Sequence, residues 1–134
     1  MLYFAYGSNL NQKQMKIRCK DSYFIKSISL KGYSLTFRSK YGAADIEKKK
    51  NSKVMGALYE ISKSDEKRLD IYEEYPILYK KMYFNYYNNE IMTYIMVKQS
   101  TYKKPTEKYL NTIIKGYKDC KLDKKYLKKA LIEY

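Results

Sequence analysis

Strand-like runs fill most of the chain between Leu2 and Lys98, helical segments interrupt them, and two amphipathic segments close the sequence. That order predicts an α+β fold: a curved sheet, mixed or mostly antiparallel, with helices packed against it. Leu2 to Tyr6 is a short buried strand. Asn11 can cap a short helix that places Met15 and Cys19 on one face. Tyr23 to Phe37 is rich in β-formers but broken by Gly32, so it forms two strands or one bulged strand. Ala43-Ala44 suggests a small strand or inner loop, and the lysine run after it an exposed turn. Lys53 to Ile61 is the clearest strand. Ser62 to Pro76 predicts a helix, with Ser62 and Asp65 in a capping-box pattern and Pro76 as its limit. Leu78 to Lys98 predicts a hairpin turning at Asn88-Asn89. A helix follows over 104–120, with Tyr109, Ile113, Gly116 and Tyr117 on one side. A second covers Leu122 to Tyr134.

A length of 134 residues fits one domain, 1–134. The formal charge of +14 invites a nucleic-acid or anionic-membrane partner. However, the basic residues are nearly all lysine and are spread along the whole chain. Arg18, Arg38 and Arg68 are the only arginines, and bidentate phosphate or guanine recognition prefers arginine. The lysine excess fits a compositional bias, so no specific nucleic acid is expected as a partner. Cys19 and Cys120 are isolated and form no CxxC pair. There is no histidine, which removes His-dependent triads and the usual zinc sites. Acid–base chemistry must then fall to carboxylates, tyrosines, lysines or cysteines. The leading apolar run is too short for a signal peptide, and no stretch reaches transmembrane length. The expectation is a cytoplasmic protein, monomer or homodimer, without cofactor, metal or membrane contact.

Two local features carry chemical content. In the helix before Pro76, Leu69 is the best core anchor, and Glu73 lies about 40° around from it. Tyr72 shares that side. Glu74 lies about 140° away and should face solvent. Glu73 therefore belongs to the apolar face, at the negative end of the helix dipole. Both circumstances disfavour the ionised carboxylate and raise its pKa, which suits a general acid/base. The plainer alternative is a solvated glutamate, or one paired with Lys80 or Lys81. Asp70 should face outward or cap local backbone. The other feature is Tyr6-Gly7-Ser8-Asn9, a glycine-centred polar turn ending the first strand. It is either a surface turn, or a turn in which positive φ at Gly7 converges the N–H groups of Gly7, Ser8 and Asn9 on an anion or carbonyl oxygen.

Together, "FAYGSNL", "VMGALYEI" and "LDIYEEYPILY", in that order, resemble the gamma-glutamylcyclotransferase-like family. "GAADI" and the C-terminal helical portion, with Tyr109, are similar to further family segments, so the resemblance covers nearly the whole chain. It implies a barrel-like sheet enclosing a cavity, and conversion of a γ-glutamyl compound to 5-oxoproline and a free amine. It puts the catalytic glutamate at Glu73 and γ-glutamyl binding at Tyr6, Gly7, Ser8 and Asn9. Tyr94 and Tyr109 are weaker candidates to line the pocket and donate hydrogen bonds. Many members have glycine directly after the glutamate, where this chain has Glu74.

Overall fold

The computed structural model describes residues 1–132. Its α+β architecture centres on one mixed five-stranded sheet in the order β2-β3-β1-β5-β4. The short strand β1 (Leu2–Ala5) lies in the middle, which is why Phe4 and Ala5 are wholly buried. It runs antiparallel to β3 (Ala43–Glu60) and parallel to β5 (Asn89–Met96). The edges are β2 (Tyr23–Arg38) and β4 (Tyr79–Tyr86), each antiparallel to its neighbour.

β2 is one bulged strand rather than two. Its register shifts between Phe24 and Lys26 and again between Lys31 and Tyr33, where Gly32 takes φ +83°. β3 corrects the sequence expectation. Ala43-Ala44 is the start of an 18-residue strand, and the lysine run is part of that strand rather than a turn. Lys48 pairs with Tyr33 and Lys53 with Lys31. On this far part of a two-stranded ribbon the lysines 48–50 reach solvent, so their charge does not oppose pairing. The β2–β3 reversal instead lies between Ser39 and Gly42, both at positive φ.

The β4–β5 hairpin turns one residue earlier than expected. Tyr86 pairs with Asn89, so Tyr87 and Asn88 are the central residues, at φ 47° and 64°. Two positive φ values match a type I′ turn, whose twist fits the flanking strands.

Among the described residues four helices pack around the sheet. α1 (Gln12–Arg18) starts at Asn11, whose side chain accepts from the Gln14 amide at 3.0 Å. α2 (Lys63–Tyr72) has the expected capping box between Ser62 and Asp65, and Leu69 is its fully buried anchor. α3 (Glu107–Asp119) is capped by Thr106 and buries Ile113, Gly116 and Tyr117. α4 (Lys125–Ile132) begins three residues later than predicted, after the Asp123 side chain accepts from the Lys125 amide at 2.9 Å. Glu133 and Tyr134 of the predicted helix lie outside the described residues. Among the described residues no helix is long and apolar enough to cross a membrane.

Candidate functional site

The first strand ends at Ala5, and Ser8–Leu10 form a single 3₁₀ turn. The Leu10 amide donates to the Gly7 carbonyl at 3.0 Å. Gly7 does not take the expected positive φ; its φ is −118°. What sets it apart is close packing instead: a β-carbon would lie 3.0 Å from the Ala44 side chain of β3, a tight approach that glycine avoids. The first amides of such a turn have no acceptor within it, so those of Ser8 and Asn9 are available to other groups.

Glu73 arrives from the other side. α2 ends at Tyr72, and the Glu73 amide closes the helix by donating to the Leu69 carbonyl at 2.8 Å. The chain then turns sharply through Glu74, at φ 53°, and a cis Tyr75-Pro76 bond. The turn and the glutamate line one cavity of about 350 Å³, shared by Tyr6, Gly7, Ser8, Asn9 and Glu73. Tyr94 and Tyr109 line it too. The sequence-nominated residues, widely separated along the chain, are thus brought together.

Among the described residues the Glu73 carboxylate has no hydrogen-bonding partner, and the pairing with Lys80 or Lys81 does not occur. Burial pushes its pKa up to about 8; the Arg18 charge opposes that rise and the Glu74 charge adds to it. Lys81 instead binds Glu66 at 2.8 Å and Asp70 at 3.1 Å. Asp70 also accepts from the Tyr94 hydroxyl at 2.6 Å. It therefore neither faces outward nor caps backbone; it anchors a cavity-lining tyrosine.

The tyrosine hydroxyls divide by what they already do. Tyr6 donates to the Tyr94 carbonyl at 2.7 Å, and Tyr94 donates to Asp70. Neither proton is free for a ligand, contrary to expectation, because a buried hydroxyl must find a partner within the fold. Tyr109 accepts from the Ala44 amide at 3.0 Å and keeps its proton. Tyr3 accepts from Asn9 Nδ2 at 3.0 Å and keeps its proton as well. Burial raises the pKa of both phenols, so they stay protonated donors.

Sequence reasoning nominated none of Tyr3, Tyr72, Tyr79 and Arg18, although it placed Tyr72 on the side of Glu73. Tyr79 donates to the Ala44 carbonyl at 2.5 Å and so holds the strand that faces Gly7. The Tyr72 hydroxyl lies 3.0 Å from Ser8 Oγ. The Arg18 guanidinium sits 3.3 Å above the centre of the Tyr72 ring and donates to Asn9 Oδ1. Arg18 thereby joins the end of α1 to both halves of the site. Nothing local marks it, because its partners come from other elements. Among the described residues no cluster of three or more Cys, Asp or Glu side chains is placed to hold a metal ion.

The family model described as gamma-glutamyl cyclotransferase, AIG2-like, matches residues 3–113. A search among curated proteins finds no match. Several solved structures share the fold. One described as a gamma-glutamyl cyclotransferase is 24% identical, with a TM-score of 0.78 over 97% of this chain and 85% of its own. A human protein described as uncharacterized is 25% identical, with a TM-score of 0.77 over 96% of this chain and 85% of its own. YkqA from Bacillus subtilis is 21% identical, with a TM-score of 0.77 over 96% of this chain and 52% of its own. The family match spans most of the sequence and includes both the Tyr6–Asn9 turn and Glu73. The chain belongs to the gamma-glutamyl cyclotransferase, AIG2-like family.

Proposed function

We propose that this chain is a γ-glutamyl cyclotransferase that releases 5-oxoproline and a free amine, with Glu73 moving the proton. The observation that carries it is a partnerless, desolvated carboxyl facing the same cavity as the Tyr6–Asn9 turn. In the reaction the substrate's α-amine attacks its own γ-carbonyl carbon. A new C–N bond closes the five-membered lactam, and the γ-amide C–N bond breaks. The α-nitrogen loses two protons on passing from ammonium to lactam N–H: Glu73 takes one and delivers it to the leaving nitrogen, and the second goes to water or to the released amine, so Glu73 ends as it began. No nucleophilic side chain is required, in keeping with a chain that has no histidine.

The cavity's remaining task is to fold an extended γ-glutamyl chain into a near-attack conformer. Amides of the Gly7–Asn9 turn serve as donors to the α-carboxylate or to the developing oxyanion. The free protons of Tyr3 and Tyr109 are further donors on the same cavity.

The test is product analysis with γ-glutamyl amino acids, γ-glutamylamines and glutathione, followed by a pH profile on the best substrate. 5-Oxoproline should appear in equal amount to the released amine. A base must be deprotonated, so kcat/KM should rise about tenfold per pH unit on the acid side and level off above about pH 8. Absence of 5-oxoproline across the panel would reject the assignment.

Arg18 supplies a second expectation. Its positive charge favours the ionised form of Glu73. Arg18→Gln should therefore move the midpoint of the profile to higher pH, and Arg18→Lys, which retains the charge, should move it less. A midpoint unchanged in Arg18→Gln would show that some other group is titrating.

A further inference from the structure

A second cavity, of about 460 Å³, lies where the bulged part of the β2–β3 ribbon meets α3 and α4. It shares no lining residue with the cavity that holds Glu73, and its chemistry is independent of the cyclotransferase reading. The bulge opens it. β3 carries four residues, 49–52, opposite the single Gly32 of β2, and Gly32 and Asn51 take positive φ, 83° and 66°. Leu35, Val54 and Ala130 are buried and form an apolar floor. Lys31, Lys53 and Lys129 are exposed around the rim. Among the described residues no aspartate or glutamate lines this cavity.

Two features of it are unsatisfied within the protein. Lys31 and Lys53 are direct cross-strand partners. Like charges so placed repel, and among the described residues neither ammonium meets a carboxylate. Lys53 Nζ lies 5.6 Å from the centre of the Tyr126 ring, a contact that steadies the ammonium without neutralising it. The other feature is Tyr117, from α3. It is 1% exposed and lines the cavity, and among the described residues its hydroxyl has no hydrogen-bonding partner. Burial raises its pKa, so it keeps its proton. A buried hydroxyl ordinarily has a partner, and the cavity beside Tyr117 is the place from which an acceptor can come.

We propose that this cavity binds a small phosphate monoester whose apolar body carries an uncharged hydrogen-bond acceptor. The phosphate dianion sits between Lys31 and Lys53 and converts their mutual repulsion into attraction to a shared partner. The body lies along Leu35, Val54 and Ala130, and the acceptor takes the Tyr117 proton at the floor. Lysine serves a phosphate as a point charge and does not need arginine's planar fork. Two ammoniums favour a dianion over a carboxylate, and a phosphate monoester is close to a dianion above about pH 7. A purely apolar occupant would leave both lysines and Tyr117 as they are.

The probe is 4-nitrophenyl phosphate, which carries a phosphate and a nitro acceptor at opposite ends of an aromatic ring. It is titrated calorimetrically into the full chain at low ionic strength and about pH 8, where the phosphate is a dianion. Inorganic phosphate, which lacks the body, and 4-nitrobenzyl alcohol, which lacks the charge, should each bind at least about tenfold more weakly. Tyr117→Phe should weaken binding of the probe about fivefold. The same variant, without ligand, should melt no lower than the wild type, since the hydroxyl removed had no partner. Lys31→Gln should weaken binding about five- to tenfold. Without ligand it should melt slightly higher, because the cross-strand repulsion is gone. That opposition of sign separates a built site from general attraction to a basic surface. No binding of the probe, inorganic phosphate binding as tightly, or an affinity unchanged in either variant would overturn the inference. So would an unliganded Tyr117→Phe that melts lower, since its hydroxyl would then be bonded within the protein.

Discussion

Glu73→Gln should lose 5-oxoproline formation by roughly 10²-fold or more, and at neutral to alkaline pH it should melt at a higher temperature than the wild type. The two halves of this result have one cause. The amide keeps the shape and polarity of the side chain but can neither accept the α-ammonium proton nor return it to the leaving amine. The same exchange removes a charge that the folded cavity disfavours. Burial raises the Glu73 pKa to about 8, from an ordinary value of 4.5. Between those two values the folded state binds a proton that the unfolded chain has released. The stability this group contributes is thus fully present below about pH 4.5 and is lost as pH rises through about 8. Glutamine has no such loss. The variant and the wild type should therefore have similar melting temperatures near pH 4, and the gap should open in the variant's favour up to about pH 8. Because the carboxyl retains some access to cavity water, the gap is of order 2 kcal/mol, or roughly 7 °C for a chain of this size. Thermal melts at pH 4, 6 and 8, together with a 5-oxoproline assay, decide the matter. Full turnover by the folded variant would end the base assignment, and an identical pH dependence of melting would show that the carboxyl is not desolvated.

The position of Glu73 was legible because it depends on a local rule. It lies four positions after Leu69, and helical geometry carries both to one face whatever the rest of the fold does. The same holds for the Ser62–Asp65 capping box and for Asn11 as a cap, which involve neighbours in sequence. Features set by other elements were not legible. Gly7 could be identified as special, but the reason is a strand that arrives from Ala44, not its own φ. Tyr6 and Tyr94 lie at the cavity as expected, yet their protons go to partners that only the sheet and α2 bring within reach. Arg18 acts across three elements and leaves no periodic trace. The lysine run in β3 reads as a turn because charge usually marks one, and only pairing with β2 makes it strand. The split follows range: contacts within a turn of helix can be read from spacing, whereas contacts across the sheet need the fold.

Gly116→Ala should unfold the protein at a lower temperature, although helix propensity alone predicts the reverse. Within an isolated helix, alanine in place of glycine gains up to about 1 kcal/mol. Gly116, however, lies where α3 crosses the turn after β1. A β-carbon there would lie 2.5 Å from Leu10 Cβ and 2.6 Å from the Asn11 amide nitrogen. Neither is the loose end of a flexible side chain. Leu10 is wholly buried, and Asn11 caps α1 and donates to the Thr112 carbonyl of α3 at 3.4 Å. Relief requires α3 or the turn to move, and overpacking of this kind costs about 1 to 3 kcal/mol. The expected loss in melting temperature is roughly 3 to 10 °C. A functional effect should accompany it. Moving Leu10 and Asn11 drags Ser8 and Asn9, so KM for a γ-glutamyl substrate should rise more than kcat falls, since Glu73 is on a different element. Gly32→Ala is the control: no neighbour lies within 4 Å, and only its φ of +83° opposes a side chain. Its cost should be about 1 to 2 kcal/mol, with KM unchanged. If Gly116→Ala proves as stable as the wild type, α3 does not press on the turn that closely; if it melts early yet binds substrate normally, the turn is not part of the binding surface.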